Sequence, residues 1–574
     1  MAALAAVVAA FVVLTIPPRR LALHEDPSDG SVPGIIHVHS TRSDGSSTPD
    51  DIAAAARRAG LRFVVFTDHG DATRAPDAPA YRNGVLCIDA VEISTTGGHY
   101  IALDMPAAPY PLAGDPRGVV DDVHRLGGFG IVAHPDSPKD QLQWKDFTVP
   151  FDAIEAINLD TGWRRWVQQA RGSTLGARDR WSAGMRLLAA LLDYPFRPPE
   201  VVASLTSPRG RDLGIERTLD AEMLHRRIVT TAGADAHAKL GMRGDPGEST
   251  FSIPIPGYEQ TFRTLSVHAS LDQQLTGEAT RDSQIIVRAI RAGHLYSVMD
   301  GVATPAAFFL TATNASGTAH GGDQLGPGGP VAVHVRSNAP AAFTTTLWNG
   351  ATAIGGDHHE SDFTVTVPAG PAAYWVGIRA TPERGGALWL RSNPIFVGVH
   401  EPSVGRVPTA PPRSARALFD GTTADGWHVE HDSTSVGALD RVVGTDGPEL
   451  RLRYGLSAGL GAGPYVALVY DVPAGALVGN RVTMTLRAQQ PMRISVQLRS
   501  GSNGGADRWQ RSIYVATENE QRSIEFTDLT PVGATATARP VLSTIRSVLF
   551  VVDTTNTKPG ASGRLWLRSA ALAY

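Results

Sequence analysis

Cysteine is almost absent from this chain. Cys87 is the one thiol in 574 residues, so no internal disulfide can form and a thiolate zinc site is excluded. Cys87 lies in the apolar run Val85-Leu86-Cys87-Ile88 and reads as a small buried strand residue. A surplus of positive charge is missing too. Lys+Arg number 52 against 56 Asp+Glu, a net charge of -4, which removes the electrostatic case for a nucleic-acid polymer as partner. A small phosphorylated substrate needs only local positive charge and is not excluded. Repeats of solenoid type are lacking. Long apolar runs are lacking after the start of the chain. The first sixteen residues, MAALAAVVAAFVVLTI, carry no charge and end at Pro17-Pro18-Arg19-Arg20. They fall short of the ~20 residues that span a bilayer untilted. Residues 1–20 therefore read as a signal-like or membrane-anchor segment, which implies an exported or envelope-anchored protein. A misplaced start site, with a cytoplasmic protein, is the alternative.

Apolar residues make up 42% of the chain and charged residues 19%, so it is globular, and its length implies several domains. From residue 34 to about 240, short apolar runs alternate with helical patterns. Gly34–Val38 reads as a strand. Thr48 is a natural N-cap, Pro49 suits the first helical position, and the helix through Ala59 should stop at Gly60. Strands follow at 62–67, around Cys87, at 99–104, 129–134, 151–159 and 227–233, with a helix over about 117–126. Such alternation predicts a largely parallel sheet, open or closed into a barrel. Residues 160–226, with Trp163, Arg164, Arg165 and Trp166, break the series and read as a helical insertion, either a lid or a structural cover. Past about residue 300 the texture becomes all β: a small sandwich over 301–400, a Pro-rich linker over 401–416, and a second sandwich over 417–574.

Histidines and acids fall where the strands end. His37 and His39 close the first strand, and side chains two apart on a strand share a face. Asp44 follows in Ser43-Asp44-Gly45, His69 in Thr67-Asp68-His69, and Glu92 ends the next run. His99 opens the strand after it, His134 precedes Pro135, and Asp235 and His237 follow the last strand. Strand C-terminal ends form the active face of parallel α/β sheets and barrels. Six imidazoles and three carboxylates with no thiolate suit Zn, Mn or Fe, and Glu92 is placed to bridge two ions. His124 and His225 lie on helical patterns and read as structural, and His358-His359 as a solvated turn.

The order His37-x-His39, Ser43-Asp44-Gly45, Thr67-Asp68-His69, Glu92, His134-Pro135, Asp235-x-His237 resembles the polymerase and histidinol phosphatase (PHP) domain, over about residues 34–300. The resemblance implies a distorted (β/α)7 barrel with roughly two or three divalent metal ions. Carried over by motif, His37, His39, Glu92 and Asp235 would hold the first ion. Glu92, His99 and His134 would hold the second, and Asp44, His69 and His237 the third. Asp68 would orient a ligand. The stretches 262–277 (FRTLSVHASLDQQLTG) and 289–301 (AIRAGHLYSVMDG) are similar to the CehA/McbA-type branch of metallohydrolases, which is carbaryl-hydrolase-like.

Two close metals lower the pKa of a bridging water, so hydroxide is available near neutral pH. Acting through His37, His39, Glu92, His134 and Asp235, it would make this chain a metal-dependent hydrolase. The leading expectation is a phosphoesterase acting on small phosphomonoesters or nucleotides. The branch resemblance implies the rival, an ester, carbamate or amide hydrolase. A phosphatase needs cations near the metals, for which Arg42, Arg74, Arg82 and Lys239 are candidates by sequence. A carbonyl hydrolase would offer an apolar pocket instead, with Trp163 and Trp166 as candidate lining. A non-catalytic binding protein would have lost ligands, yet all nine positions hold competent residues. The C-terminal region resembles galactose-binding-like sandwich modules, in which Trp427, Trp509 or Trp566 would stack on a sugar or fill the core. Carbohydrate or cell-surface contact is the partner this implies.

Overall fold

The computed structural model describes residues 2–26, 29–172, 176–206, 214–241, 252–253, 255–399, 415–459, 463–473, 479–501 and 507–573. The chain forms two compact units. One comprises Met1–Gly70, Pro76–Pro106 and Gly127–Ser403, the other Asp71–Ala75, Ala107–Leu126 and Val404–Tyr574.

The first unit is built on one sheet that closes on itself. Its strands are β1 (Val32–Val38), β2 (Phe63–Phe66), β3 (Val85–Asp89), β4 (Val91–Thr95), β5 (Gly98–Leu103), β6 (Phe129–Ala133), β7 (Ala153–Asn158) and β8 (Val229–Ala236). Pairing is parallel from β3 through β2, β1, β8 and β7 to β6. It turns antiparallel at β6–β5 and β5–β4, and a parallel bridge between His69 and Glu92 completes the circuit. Buried aliphatic side chains such as Ile36, Val65, Ile88, Ile101 and Ile131 fill the interior. The strand–helix alternation expected from sequence is followed only in part. Strands outnumber helices, and β4 and β5 form a hairpin with no helix between them.

The N-terminal segment forms helix α1 (Ala2–Thr15), and among the described residues no helix is long and apolar enough to cross a membrane. Local rules operate where they were expected. Helix α2 (Pro49–Ala59) has Thr48 as N-cap, accepting from the Asp51 amide. Gly60 ends it at φ 88°, a conformation that glycine adopts without Cβ strain. The insertion is helical: α3 (Leu159–Arg171), α4 (Ala177–Asp193), α5 (Pro198–Thr206) and α6 (Gly214–Glu222). Cys87 is buried, and burial pushes its thiol up to about 11, so it is inert as a nucleophile.

Residues 301–400 carry strands at Val331–Ser337, Thr344–Asn349, Asp362–Val367 and Ala372–Arg379. They group with the first unit because strand Leu388–Ser392 pairs with Leu295–Val298, which pairs in turn with Ser266–Ala269 beside β1. The linker expected at 401–416 lies outside the described residues except for Ala415 and Arg416, which open a strand. The second unit is a β-sandwich of two six-stranded sheets around a core containing Leu452, Leu468, Val496, Phe550 and Leu567. Helix Pro116–Arg125 belongs to it, tied by Asp122 to Arg493 at 2.7 Å and by Asp115 to Arg511 at 2.9 Å.

One buried acid in the first unit gives a pH-dependent stability. Asp300 accepts hydrogen bonds from Ser266 (2.6 Å) and Thr304 (3.1 Å), and burial lifts its carboxyl from 3.8 to about 7. Between those values only the folded chain keeps the proton. The stabilising effect of the neutral carboxyl is therefore complete below about 3.8 and is lost as pH rises through about 7. Asp300→Asn, neutral at every pH, should melt like wild type at acid pH. At pH 8 thermal melts should show it higher by about 5 °C, reflecting a gain on the order of 3 kcal/mol.

Candidate metal centre

The nine residues singled out by sequence lie together at one end of the closed sheet of the first unit. Three of the strands and loops that carry them are distorted there. His37 (φ 68°), His134 (φ 29°) and Asp235 (φ 47°) adopt left-handed backbone conformations that cost non-glycine residues free energy. The pairing register slips between Ile36 and Val38, at His37, and between Gly233 and Ala236, around Asp235. Such bulges re-aim side chains. His37 and His39 therefore converge through a bulge and not through plain strand alternation. Glu92 and His99 also differ from expectation. Glu92 is the second residue of β4, and His99 faces Ser94 across the β4–β5 hairpin.

The geometry around Glu92 decides what the cluster is suited to. His37 Nε2 lies 3.1 Å from His39 Nε2. Glu92 Oε2 is 3.3 Å from His37 Nε2 and 3.2 Å from His39 Nε2. Asp235 Oδ1 is 3.4 and 3.5 Å from the same two nitrogens. A tetrahedral ion with bonds of about 2.0–2.1 Å sets its ligand atoms roughly 3.3–3.4 Å apart. His37, His39 and Glu92, all buried, thus stand at separations that suit the ligands of one ion, and Asp235 groups with His37 and His134 beside them. Glu92 Oε2 has no hydrogen-bond partner, an orphaned buried acceptor that a cation would satisfy.

The other Glu92 oxygen, Oε1, faces His99 Nδ1 at 2.8 Å and His134 Nε2 at 2.9 Å. The two oxygens of one carboxylate therefore address two sets of imidazoles, as a bridging ligand does. A third group is more open. Asp44 Oδ1 lies 3.2 Å from His237 Nε2 and 3.8 Å from His69 Nε2, and 52% of the Asp44 side chain is exposed. The sets differ in detail from those implied by motif. His39 also borders the Asp44 group, His134 stands with His37 and Asp235, and His69 joins Glu92 and His99.

The electrostatics favour positive charge at the centre. Burial alone would depress the pKa of His37, but Glu155, Asp235 and Glu92 outweigh it and hold the ring well above its ordinary range. His39 and His134 are likewise lifted to about 9 against the pull of burial. Asp235 and Glu92 raise the His39 ring, and Glu92 above all raises that of His134. In return, His37 and its neighbours hold the buried carboxyls of Glu92 and Asp235 well below the usual carboxylate range, against a burial effect that would raise them.

Two residues that support the cluster were not among the site residues read from sequence. Glu155, in the middle of β7, accepts from His37 Nδ1 (2.6 Å), from the His134 amide (2.7 Å) and from Asn158 Nδ2 (2.8 Å). It fixes the His37 ring so that Nε2 points at the centre. Gly233 makes room for it, since a Cβ there would stand 1.9 Å from Glu155 Oε1. Its one signal in the sequence is an acid inside the apolar run Ala153–Asn158. The second is Arg164. Asn158 pairs with Gly233 across β7–β8, so α3 begins beside Asp235. Arg164 on its second turn pairs with Asp160, and its charge is felt at both Asp235 and Asp44.

Asp68 holds the loop after β1 by accepting from the Ser40 amide (2.7 Å), Ser40 Oγ (2.8 Å) and Ser43 Oγ (2.7 Å). The basic candidates read from sequence are placed differently from Arg164. Arg42 pairs with Asp77 and Asp89, and Arg82 with Asp50. Arg74 falls in a segment of the second unit, and Lys239 is exposed. Trp166 donates to the Leu205 carbonyl and lies under Arg186, so it serves the packing of the insertion. Trp163 donates to Asp160. In the second unit, Trp427 and Trp509 are buried and donate to backbone carbonyls, while Trp566 lies under the Arg487 guanidinium. The packing role, not sugar stacking, holds for Trp427 and Trp509.

No protein-family model and no curated protein matches this chain. Solved structures do. The family 11 carbohydrate-binding module of a cellulosomal cellulase of Clostridium thermocellum is 16% identical, covers 28% of this chain and 95% of its own, and has a TM-score of 0.24. A family 30 carbohydrate-binding module is 10% identical over 28% of this chain and 88% of its own, with a TM-score of 0.21. An exo-beta-agarase is 10% identical over 28% of this chain and 25% of its own, with a TM-score of 0.20. Nothing about activity follows from likenesses this slight.

Proposed function

We propose that the first unit is a metal-dependent hydrolase of the PHP type, and that its substrate is a small phosphomonoester or nucleotide. The observation that supports the hydrolase reading is the buried trio His37, His39 and Glu92 at ligand-like separations, with Asp235 near both histidines and Glu92 turned toward a second set. As the motif implies, His37, His39, Glu92 and Asp235 would hold one ion, His99 and His134 would share Glu92 with a second, and Asp44, His69 and His237 would hold a third, while by geometry His134 stands with His37 and Asp235 and His69 with Glu92 and His99. Bound Zn, Mn or Fe would supply Lewis acidity and an activated water near neutral pH.

The chain's own residues do the remaining work. Glu155 keeps His37 in one tautomer and one orientation. Asp68 fixes the loop that carries Asp44. The exposed Asp44 side gives a substrate its approach. Arg164 supports the phosphoryl reading, since a guanidinium held by Asp160 beside the cluster can still offer donors to an anionic oxygen. Ester, carbamate or amide hydrolysis by the same centre is the competing outcome. A carbohydrate contact of the second unit would have to be made by side chains other than Trp427 and Trp509.

The test is a substrate panel on metal-loaded protein: p-nitrophenyl phosphate, nucleotides and naphthyl esters. Phosphate ester turnover is expected. Arg164→Ala should raise KM for the phosphate esters by about 10- to 100-fold, the loss of one charge-assisted contact, and leave any neutral ester untouched. Turnover of carbonyl esters alone, unaffected by Arg164→Ala, would contradict the phosphoesterase reading.

A further inference from the structure

Two helices of the first unit leave large apolar side chains exposed to water. Helix α1 has no charged residue, and its Val7, Val13 and Leu14 are 65%, 76% and 84% exposed. Helix α4 presents Trp181, Leu188 and Leu191 at spacings i, i+7 and i+10, which places them on one face, and all three are exposed. Phe196, just past its end, is 66% exposed. The two helices meet. Thr15 donates to Asp193 at the end of α4 (3.2 Å), and Arg197 donates to the Pro17 carbonyl. Apolar side chains are thus exposed on two helices that touch at their C-terminal ends, and exposed apolar surface of this kind marks an interaction site.

Cations border it. Arg19 follows α1, and Arg178 and Arg180 flank Asp179 on the first turn of α4, all four exposed. Beside Phe196, Arg20, Arg197 and Arg263 line a groove that also contains Glu200. In a chain of net charge -4 this arginine concentration is local. Apolar side chains with arginines at their margin complement an anionic lipid surface, where the side chains enter the acyl boundary and the guanidiniums meet phosphates.

We propose that α1 and the outer face of α4 together form a docking surface for an anionic membrane. The helical insertion that begins beside the metal cluster is then itself a membrane contact, in addition to the N-terminal segment. The experiment is co-sedimentation of the full chain with vesicles of phosphatidylcholine plus phosphatidylglycerol, and of phosphatidylcholine alone. Wild type should partition onto the anionic vesicles, more weakly as salt rises. The triple variant Trp181→Ser, Leu188→Ser, Leu191→Ser, exposed positions whose folding is checked by thermal melting, should partition at least about 10-fold less. Brominated lipid should quench wild-type fluorescence and quench Trp181→Phe measurably less, a readout that loss of stability does not mimic. Equal partitioning of wild type and triple variant would overturn the proposal. So would failure of wild type to bind either vesicle, or vesicle-free self-association that the triple variant abolishes.

Discussion

Glu92→Gln should abolish high-affinity binding at more than one metal position at once and lower turnover by about 10³-fold or more. The substitution keeps the volume and removes the charge. Oε2 of Glu92 faces His37, His39 and His69, and Oε1 faces His99 and His134. An amide in that place bridges nothing and sets an N–H donor against nitrogens that need a cation. The loss expected when a bridging charge disappears from a dry site is several kcal/mol, which is the stated factor in rate. Melting with and without a chelator gives a second reading. Ions that bind only the folded chain raise its melting temperature, so a chelator should lower it for wild type and leave Glu92→Gln nearly unmoved. A variant that retains the wild-type response to chelator would remove Glu92 from the centre.

Glu155→Ala should weaken metal binding by about 10- to 100-fold although Glu155 is not one of the nine proposed ligands. Three donors lose their acceptor: His37 Nδ1, the His134 amide and Asn158 Nδ2. Each is buried, and each orphaned donor costs about 1–3 kcal/mol. Stability should therefore fall together with affinity. The two effects separate in a metal titration. If Glu155 acts by aiming His37, excess metal should restore most of the turnover. If it only supports the fold, activity should follow the folded fraction and ignore added metal.

The candidate site was legible in the sequence because its residues mark the ends of elements. His37, His39, His69, His134 and His237 each follow a short apolar run, and strand ends on one side of a sheet have to meet. Helix α2 was legible for a similarly local reason, since Thr48, Pro49 and Gly60 each act within one turn. What was hidden depends on contacts distant in sequence. Glu155 is a lone acid in an apolar strand, and only the register with β8 shows that it lies under His37. The bulges at His37 and Asp235 have no composition of their own, so the grouping of ligands differs from that implied by motif. Helix Pro116–Arg125 has an ordinary amphipathic pattern, and its partners Arg493 and Arg511 are nearly four hundred residues away in sequence. Residues 301–400 resemble a separate module by texture, yet the pairing of Leu388–Ser392 with Leu295–Val298 joins them to the first unit.

The most direct measurement is the metal content of the purified full chain by elemental mass spectrometry, after loading with Zn or Mn and removal of free ion. Wild type should retain more than one equivalent per chain, and His37→Ala and Asp235→Ala, which remove two neighbouring donors 3.4 Å apart, should each retain markedly less. A wild-type chain that retains no metal, or variants that retain as much as wild type, would contradict the assignment of these residues as a metal centre.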